Sequence, residues 1–327
     1  DPDTTALVVA SKSFSTSETL SQAALIRDWL GAGGVERIWA TTANAERARA
    51  FGVTGANILA FPGWTGGRDS LWSSVGFSAA ACIGPARWQG LLAGAAQADK
   101  LLAGDLGASP AYALARVLDS LVRGSGFSTL GVVSYDPALR LLAEYLQQLV
   151  MESLGKSVDL KNAPVSAHTS PLVFGGAGTD LQHSLFQALH QGTRRHPVLL
   201  LGSTRCSEGP ATWARDQLSH LLGQASAMVN GKPADDQSQA LPGNNPVALM
   251  LTRAIDAESV GDLLANWEHA VYLLGTLWGI NAFDQWGVEE GKRLAGEFRS
   301  VLDDSGQSPD PTLEPTLDWI RRSSKEN

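Results

Sequence analysis

Residues 5–19 read Thr5-Ala6-Leu7-Val8-Val9-Ala10-Ser11-Lys12-Ser13-Phe14-Ser15-Thr16-Ser17-Glu18-Thr19, an apolar run that breaks into hydroxyls. Thr5 to Ala10 has the composition of a strand buried on both faces, as in a parallel sheet. Ser15 and Glu18 stand at capping-box spacing, and Ala23, Ile26 and Leu30 give the following helix an apolar stripe that stops at Gly31-Ala32-Gly33-Gly34. A strand, a hydroxyl-rich loop and a helix start present free backbone N–H groups and the positive end of a helix dipole. Simple helix capping is one use for these hydroxyls, but two would suffice for it. Ser11, Ser13, Ser15, Thr16 and Ser17 fall within seven residues beside Lys12, and the surplus favours an anion site.

The pattern continues as a strand over 37–42, a helix over 45–51 and a strand over 57–61. Alternating β and α units predict an α/β fold with a parallel, doubly wound sheet. Three strands make a thin sheet and one begins by Thr5, so further strands are expected before Asp1. Beyond the third strand lies Gly63-Trp64-Thr65-Gly66-Gly67-Arg68-Asp69-Ser70-Leu71-Trp72, where the paired glycines let a ligand approach the backbone and Arg68 stands at the mouth. A surface Arg68 paired with Asp69 is the plain alternative.

A helix over 88–102 precedes Ser109-Pro110, which opens another helix and marks the approximate start of a second domain. The strand Thr129–Ser134 follows, then Asp136-Pro137 caps a helix that turns Leu139, Leu142, Tyr145 and Leu146 to a core and ends beyond Glu152. Glu152 follows an apolar pair, where partial burial suits a general base; a solvated glutamate near Lys156 is the alternative. After a strand over 171–174, Gly175-Gly176-Ala177-Gly178 leads to Thr179 or Asp180 as the cap of a helix carrying His183 and His190 on one face. His183 suits acid–base or hydrogen-bonding work, His190 suits a core position, and no third ligand arrives at metal spacing.

Strands over 198–202 and 247–252, with helices over 210–229 and 260–279, complete this block. They deliver the chain to Gly279-Ile280-Asn281-Ala282-Phe283-Asp284-Gln285-Trp286-Gly287-Val288-Glu289-Glu290-Gly291-Lys292. With Asn281 or Asp284 as cap, Gln285 and Lys292 fall on one helical face two turns apart; in the plainer reading, Lys292 pairs with Glu289 in water. Another amphipathic helix and a polar loop from Asp303 to Pro315 follow.

The net charge of −8 excludes average attraction to nucleic acid or anionic membrane, though not a local anion site. Cys82 and Cys206 read as buried thiols in a reducing compartment. No apolar run reaches membrane-spanning length and Asp1-Pro2-Asp3-Thr4 does not read as a signal peptide, so a cytoplasmic location is expected.

In order, the blocks Ala10 to Thr19, Gly66-Gly67-Arg68 with Ser70-Leu71-Trp72-Ser73, Met151-Glu152-Ser153, Gly178-Thr179 with Gln182-His183, His190-Gln191-Gly192-Thr193, and Phe283-Asp284-Gln285-Trp286-Gly287-Val288-Glu289 with Lys292 resemble phosphoglucose isomerases. The resemblance implies two sugar-isomerase domains, each a parallel doubly wound sheet in a three-layer αβα sandwich. The first would occupy 1–105 and be incomplete, because the family's Gly-Ile-Gly-Gly-Ser turn is not in the chain; the second would span 106–292, with a helical tail over 293–327. It implies interconversion of glucose 6-phosphate and fructose 6-phosphate without metal or organic cofactor. Ser11, Lys12, Ser13 and Thr16 would hold the phosphate, Glu152 would shuttle the proton, and Arg68 and the Gly67 backbone would stabilise the enediolate. His183 and Lys292 would open the ring, with Gln148 and Gln285 touching the substrate. A homodimer is implied, with His183 reaching the neighbouring subunit's site. Asp69 stands where the family has an aromatic residue. A non-catalytic sugar-phosphate binding module, or a part that acts with a separate N-terminal chain, is the alternative expectation.

Overall fold

A computed structural model of the protein describes residues 1–207, 209–304 and 307–324. The chain forms two compact units, Asp1–Ala282 and Phe283–Asn327. The first unit holds two parallel sheets.

β1 (Leu7–Ala10), β2 (Ile38–Thr42) and β3 (Ile58–Ala60) lie in the order β1-β2-β3, connected through α1 (Ser17–Leu30) and α2 (Ala45–Phe51). Their order advances in one direction, so the double winding expected here is not seen among the described strands. Val9, Ile38 and Ala40 turn to one face and bury with Phe14, Ala23, Leu30 and Ala48. On the opposite face Trp39 stacks on Phe77 at 5.3 Å, bringing in α3 (Phe77–Ile83). The apolar stripe of α1 is narrower than its spacing predicts: Ile26 is exposed. Cys82 is also exposed, because α3 buries none of its residues, and Cys206 is only half-buried.

Two long connecting elements, α4 (Pro85–Gly104) and α5 (Pro110–Asp119), lead to the second sheet. It contains β4 (Thr129–Ser134), β5 (Leu172–Ala177), β6 (Val198–Arg205) and β7 (Val247–Ala254) in the order β5-β4-β6-β7, which is doubly wound. The period of two divides its side chains. Leu130, Val132, Leu199 and Leu201 enter a core with α6 (Leu142–Leu146), α5 and α10 (Ala257–Trp278), where Trp267 and Leu274 are fully buried. Val133, Val198 and Leu200 face the other way. They meet Phe186 and Leu189 of α8 (Phe186–Gln191) and Leu221 and Met228 of α9 (Ala211–Asn230). Helices on both faces produce the expected three layers.

Several helix starts differ from expectation. Thr16 occupies the N-cap of α1 without a side-chain cap bond, and the Ser15 hydroxyl is instead 2.7 Å from that of Ser13. Ser109 precedes α5 as expected, but the acceptor for the Ala111 N–H is Asn266 Oδ1 from α10, at 3.1 Å. β5 continues through the two glycines, so the short α7 (Gly178–Leu181) is capped by Ala177 rather than Thr179 or Asp180. Gly175 permits this, since its φ is +148° and a Cβ there would stand 1.8 Å from the Val132 carbonyl oxygen of β4. His183 lies in the turn between α7 and α8 and His190 within α8, so the histidines do not share one helical face.

The crossing of α4 and α10 is set by glycine. A Cβ on Gly94 would lie 1.8 Å from the Glu258 carbonyl oxygen, and one on Gly261 would lie 1.9 Å from that of Leu91. Backbone cannot yield as a side-chain tip can. Gly94→Ala is therefore expected to cost about 3 kcal/mol, the upper end for overpacking, measured as a shifted urea midpoint at unchanged slope.

In the second unit, Gln285 precedes a 3₁₀ turn (Trp286–Val288) with φ −148° and ψ 43°, and α11 begins only at Glu289 (Glu289–Asp304). Gln285 and Lys292 are consequently not on one helical face. The polar loop expected from Asp303 to Pro315 is shorter than its composition predicts, since Asp303 and Asp304 close α11 and α12 (Glu314–Ser323) already includes Pro315; residues 305 and 306 lie outside the described residues. Among the described residues no helix is long and apolar enough to cross a membrane.

Candidate active site

Arg68 and Glu152 meet across the first unit. The loop after β3 carries Arg68 inward until it is 7% exposed, which rules out the surface reading. Its Nη1 lies 2.9 Å from Glu152 Oε1, its Nε donates to Ser153 Oγ at 2.7 Å, and its Nη2 donates to the Ala282 carbonyl at 2.5 Å. Three bonds in three directions use the fixed fork of a guanidinium.

Glu152 closes a π-helical turn, Gln147–Glu152, that continues α6. Such turns insert a residue into the helical ladder and recur at functional sites. Leu149 and Val150 pack into the core while Gln148 is exposed, and the Glu152 side chain keeps 22% of its surface open. A carboxylate at a helix end faces an unfavourable dipole, and Arg68 supplies the compensating charge. Lys156 Nζ donates to the Glu152 backbone carbonyl at 2.9 Å.

The anion loop leaves β1 at the same carboxyl edge of the first sheet from which the Arg68 loop leaves β3, the edge where α/β folds bind ligands. Ser11 N–H donates to Thr41 O at 3.1 Å, while the hydroxyls of Ser11 and Thr41 are buried and find no partner among the described residues. A buried hydroxyl without a partner is costly, and a bound anion would satisfy Ser11. Lys12, Ser13 and Thr16 are exposed around it. Nothing lies within 4 Å of the place a Cβ would take on Gly67, whose carbonyl accepts from Ser70 Oγ at 2.7 Å.

Among the described residues of the first unit, neither histidine bonds to this pair. His183 is exposed; His190 Nε2 is 2.7 Å from Gln224 Oε1 and its ring lies against Phe186, a structural histidine. Within the second unit, Lys292 Nζ is 3.0 Å from Glu289 Oε1, both exposed, as the plainer reading has it.

One group at the site was not read from the sequence. Glu268 of α10 is a half-buried carboxylate whose Oε2 accepts from Trp72 Nε1 at 2.6 Å and whose Oε1 accepts from Tyr145 OH at 3.1 Å. Burial pushes its pKa up to about 7 from the ordinary 4.5; the two hydrogen bonds oppose this, and the charges of Asp69 and Asp99 add to it. Burial and the Glu268 charge likewise push the Tyr145 phenol upward. A charged residue in the apolar run Ala265-Asn266-Trp267-Glu268-His269-Ala270-Val271 was the available signal. Between the ordinary value and about 7 the folded state keeps a proton that the unfolded state has released, so this contribution to stability is lost as pH rises through that window. The melting temperature of Glu268→Gln relative to wild type should accordingly rise from about pH 5 to about pH 8.

The chain is similar to known proteins over nearly its whole length. The family model described as "Phosphoglucose isomerase" matches residues 1–312. The glucose-6-phosphate isomerase of Xylella fastidiosa (strain 9a5c) is 43% identical over 98% of the chain and 64% of its own length. That of Stenotrophomonas maltophilia (strain R551-3) is 46% identical over 92% of the chain and 60% of its own. The crystal structure of a glucose-6-phosphate isomerase from Chlamydia trachomatis D/UW-3/Cx superposes with a TM-score of 0.85 at 29% identity, covering 98% of the chain and 63% of that structure. The chain thus spans less than two thirds of the length of these relatives, and over that span it belongs to the phosphoglucose isomerase family.

Proposed function

We propose that the chain carries the aldose–ketose isomerase chemistry of its family, interconverting glucose 6-phosphate and fructose 6-phosphate. The observation that carries this reading is the 2.9 Å pairing of Glu152 with the buried Arg68. With the open-chain aldose in place, Glu152 takes the proton from C2 as the carbonyl electrons move onto O1, giving a cis-enediolate. Arg68 and the Gly67 backbone oppose the charge that develops on oxygen, where a positioned cation acts most strongly with water excluded. Glu152 then returns the proton to C1, and the O2 proton passes to O1. C2 is oxidised and C1 reduced within the one molecule, so the step balances without an external oxidant or reductant. Ser11, Lys12, Ser13 and Thr16 would hold the phosphate, an assignment supported by the unpartnered Ser11 hydroxyl beside an N-cap that makes no cap bond.

The family motif alone supports ring opening by His183 and Lys292, substrate contacts from Gln148 and Gln285, and a cytoplasmic homodimer in which His183 serves the neighbouring site. It also supports reading the two sheets as two sugar-isomerase domains that divide near residue 105. A coupled assay of fructose 6-phosphate conversion on the purified chain tests the reaction. Turnover is expected, and its absence from a folded, mass-verified chain would refute it.

A further inference from the structure

The mechanism leaves Glu268 without a task, although its carboxylate is bonded to two elements of the site. Its two oxygens are divided. One accepts from Trp72, four residues beyond Arg68 in the same loop, and the other from Tyr145, seven residues before Glu152 on the helix that runs into the π turn. The loop segment between Arg68 and Trp72 is itself laced together, Ser70 Oγ donating to Gly67 O at 2.7 Å and Ser73 Oγ to Ser70 O at 2.7 Å. These bonds tie together residues 67, 70 and 73, which bracket both Arg68 and Trp72. α10 is anchored in turn, with Trp267 fully buried and the glycine contact at Gly261 fixing it against α4.

We infer that Glu268 is a positioning residue for the reaction at Glu152: its carboxylate holds Trp72 and Tyr145 and so sets the separation between the Arg68 loop and the helix that presents Glu152. This rests on the isomerase reading for its catalytic consequence, though not for the contact itself. The charged and titratable groups around Glu268 are Asp69 of the loop, Tyr145 of α6, Asp99 of α4 and its own neighbour His269, whose Nε2 is 3.0 Å from Asp99 Oδ1. No cation among these neutralises it directly, in keeping with the raised affinity for a proton. A carboxylate accepts both bonds; the protonated acid accepts one and must donate the other. Glutamine can reproduce the second arrangement, its oxygen accepting from Trp72 and its amide donating to the Tyr145 oxygen. Leucine can reproduce neither.

The test combines kinetics with a spectroscopic probe that needs no turnover. The indole N–H resonance of Trp72, assigned through Trp72→Phe, is followed against pH in the ¹⁵N-labelled full chain and in Glu268→Gln. The resonance should shift with a midpoint near neutral pH in the wild type and stay flat in the glutamine variant. For fructose 6-phosphate, kcat should fall roughly tenfold or more in Glu268→Leu with KM changed much less, and Glu268→Gln should recover most of kcat, as expected for lost alignment rather than lost binding. A Trp72 resonance that does not titrate, or that titrates equally in Glu268→Gln through His269, overturns the inference; so does a folded Glu268→Leu with kcat and its pH profile intact. Should Glu268→Leu not fold, the resonance and the glutamine variant still decide. The readings fail separately: a titrating Trp72 signal without turnover removes the isomerase and keeps the clamp, whereas turnover with a flat signal does the reverse.

Discussion

Glu152→Gln should lower kcat for fructose 6-phosphate by about 10³-fold, within the range general-base catalysis contributes, while KM changes little. The substitution keeps the size of the side chain and an acceptor for Arg68 Nη1, which stands 2.9 Å from Glu152 Oε1, so the loop should stay in place. The change removes only the capacity to accept a proton from carbon. Because Arg68 also donates to Ser153 and to the Ala282 carbonyl, the melting temperature should move by no more than a few degrees. A large drop in stability together with the lost turnover would point to a structural role for Glu152 instead.

Arg68→Lys is the second substitution with a large expected effect. Lysine keeps the charge but offers one nitrogen where arginine now reaches three separate partners with a planar fork. One nitrogen cannot serve Glu152, Ser153 and Ala282 at once. Losing the aligned donor at a developing oxyanion costs about 10²–10³-fold in kcat. Arg68→Met should be worse for the fold, since removing one partner of an enclosed pair leaves the other uncompensated; with Glu152 partly open to water, about 2 kcal/mol is expected, below the value for a fully buried pair. Kinetics and urea unfolding of the two variants separate the terms: lysine should lose mainly rate, methionine both rate and stability.

The residues show why some of this was legible in the sequence. The strand over Thr129–Ser134 and the helix over Ala45–Phe51 match their sequence reading residue for residue, because an unbroken apolar run and an Asn44 cap are local signals. Arg68 and Glu152 were legible as residue types at useful places, yet their meeting joins positions 84 apart and depends on both sheets. The π turn escaped because composition carries little trace of an inserted residue in a helical ladder. The α1 start was misread because Ser13 and Ser15 bond each other, a competition among neighbouring hydroxyls that capping-box spacing does not show. The single histidine helix failed at Gly175 and Gly176, through which β5 continues, Gly175 in close contact with β4. Glu268 and Asn266 were absorbed into an apolar helix, although each serves another element: Asn266 caps α5, and Glu268 joins Trp72 to Tyr145.

The most direct measurement of the central claim is deuterium exchange into the sugar. The wild-type chain and Glu152→Gln are incubated with fructose 6-phosphate in D₂O, and label at C1 of the ketose and C2 of the aldose is followed by proton NMR. If Glu152 moves the carbon-bound proton, the wild type introduces deuterium at these carbons, and the glutamine variant does so at least about 10³-fold more slowly while still folded. Exchange at the wild-type rate in Glu152→Gln would contradict the account.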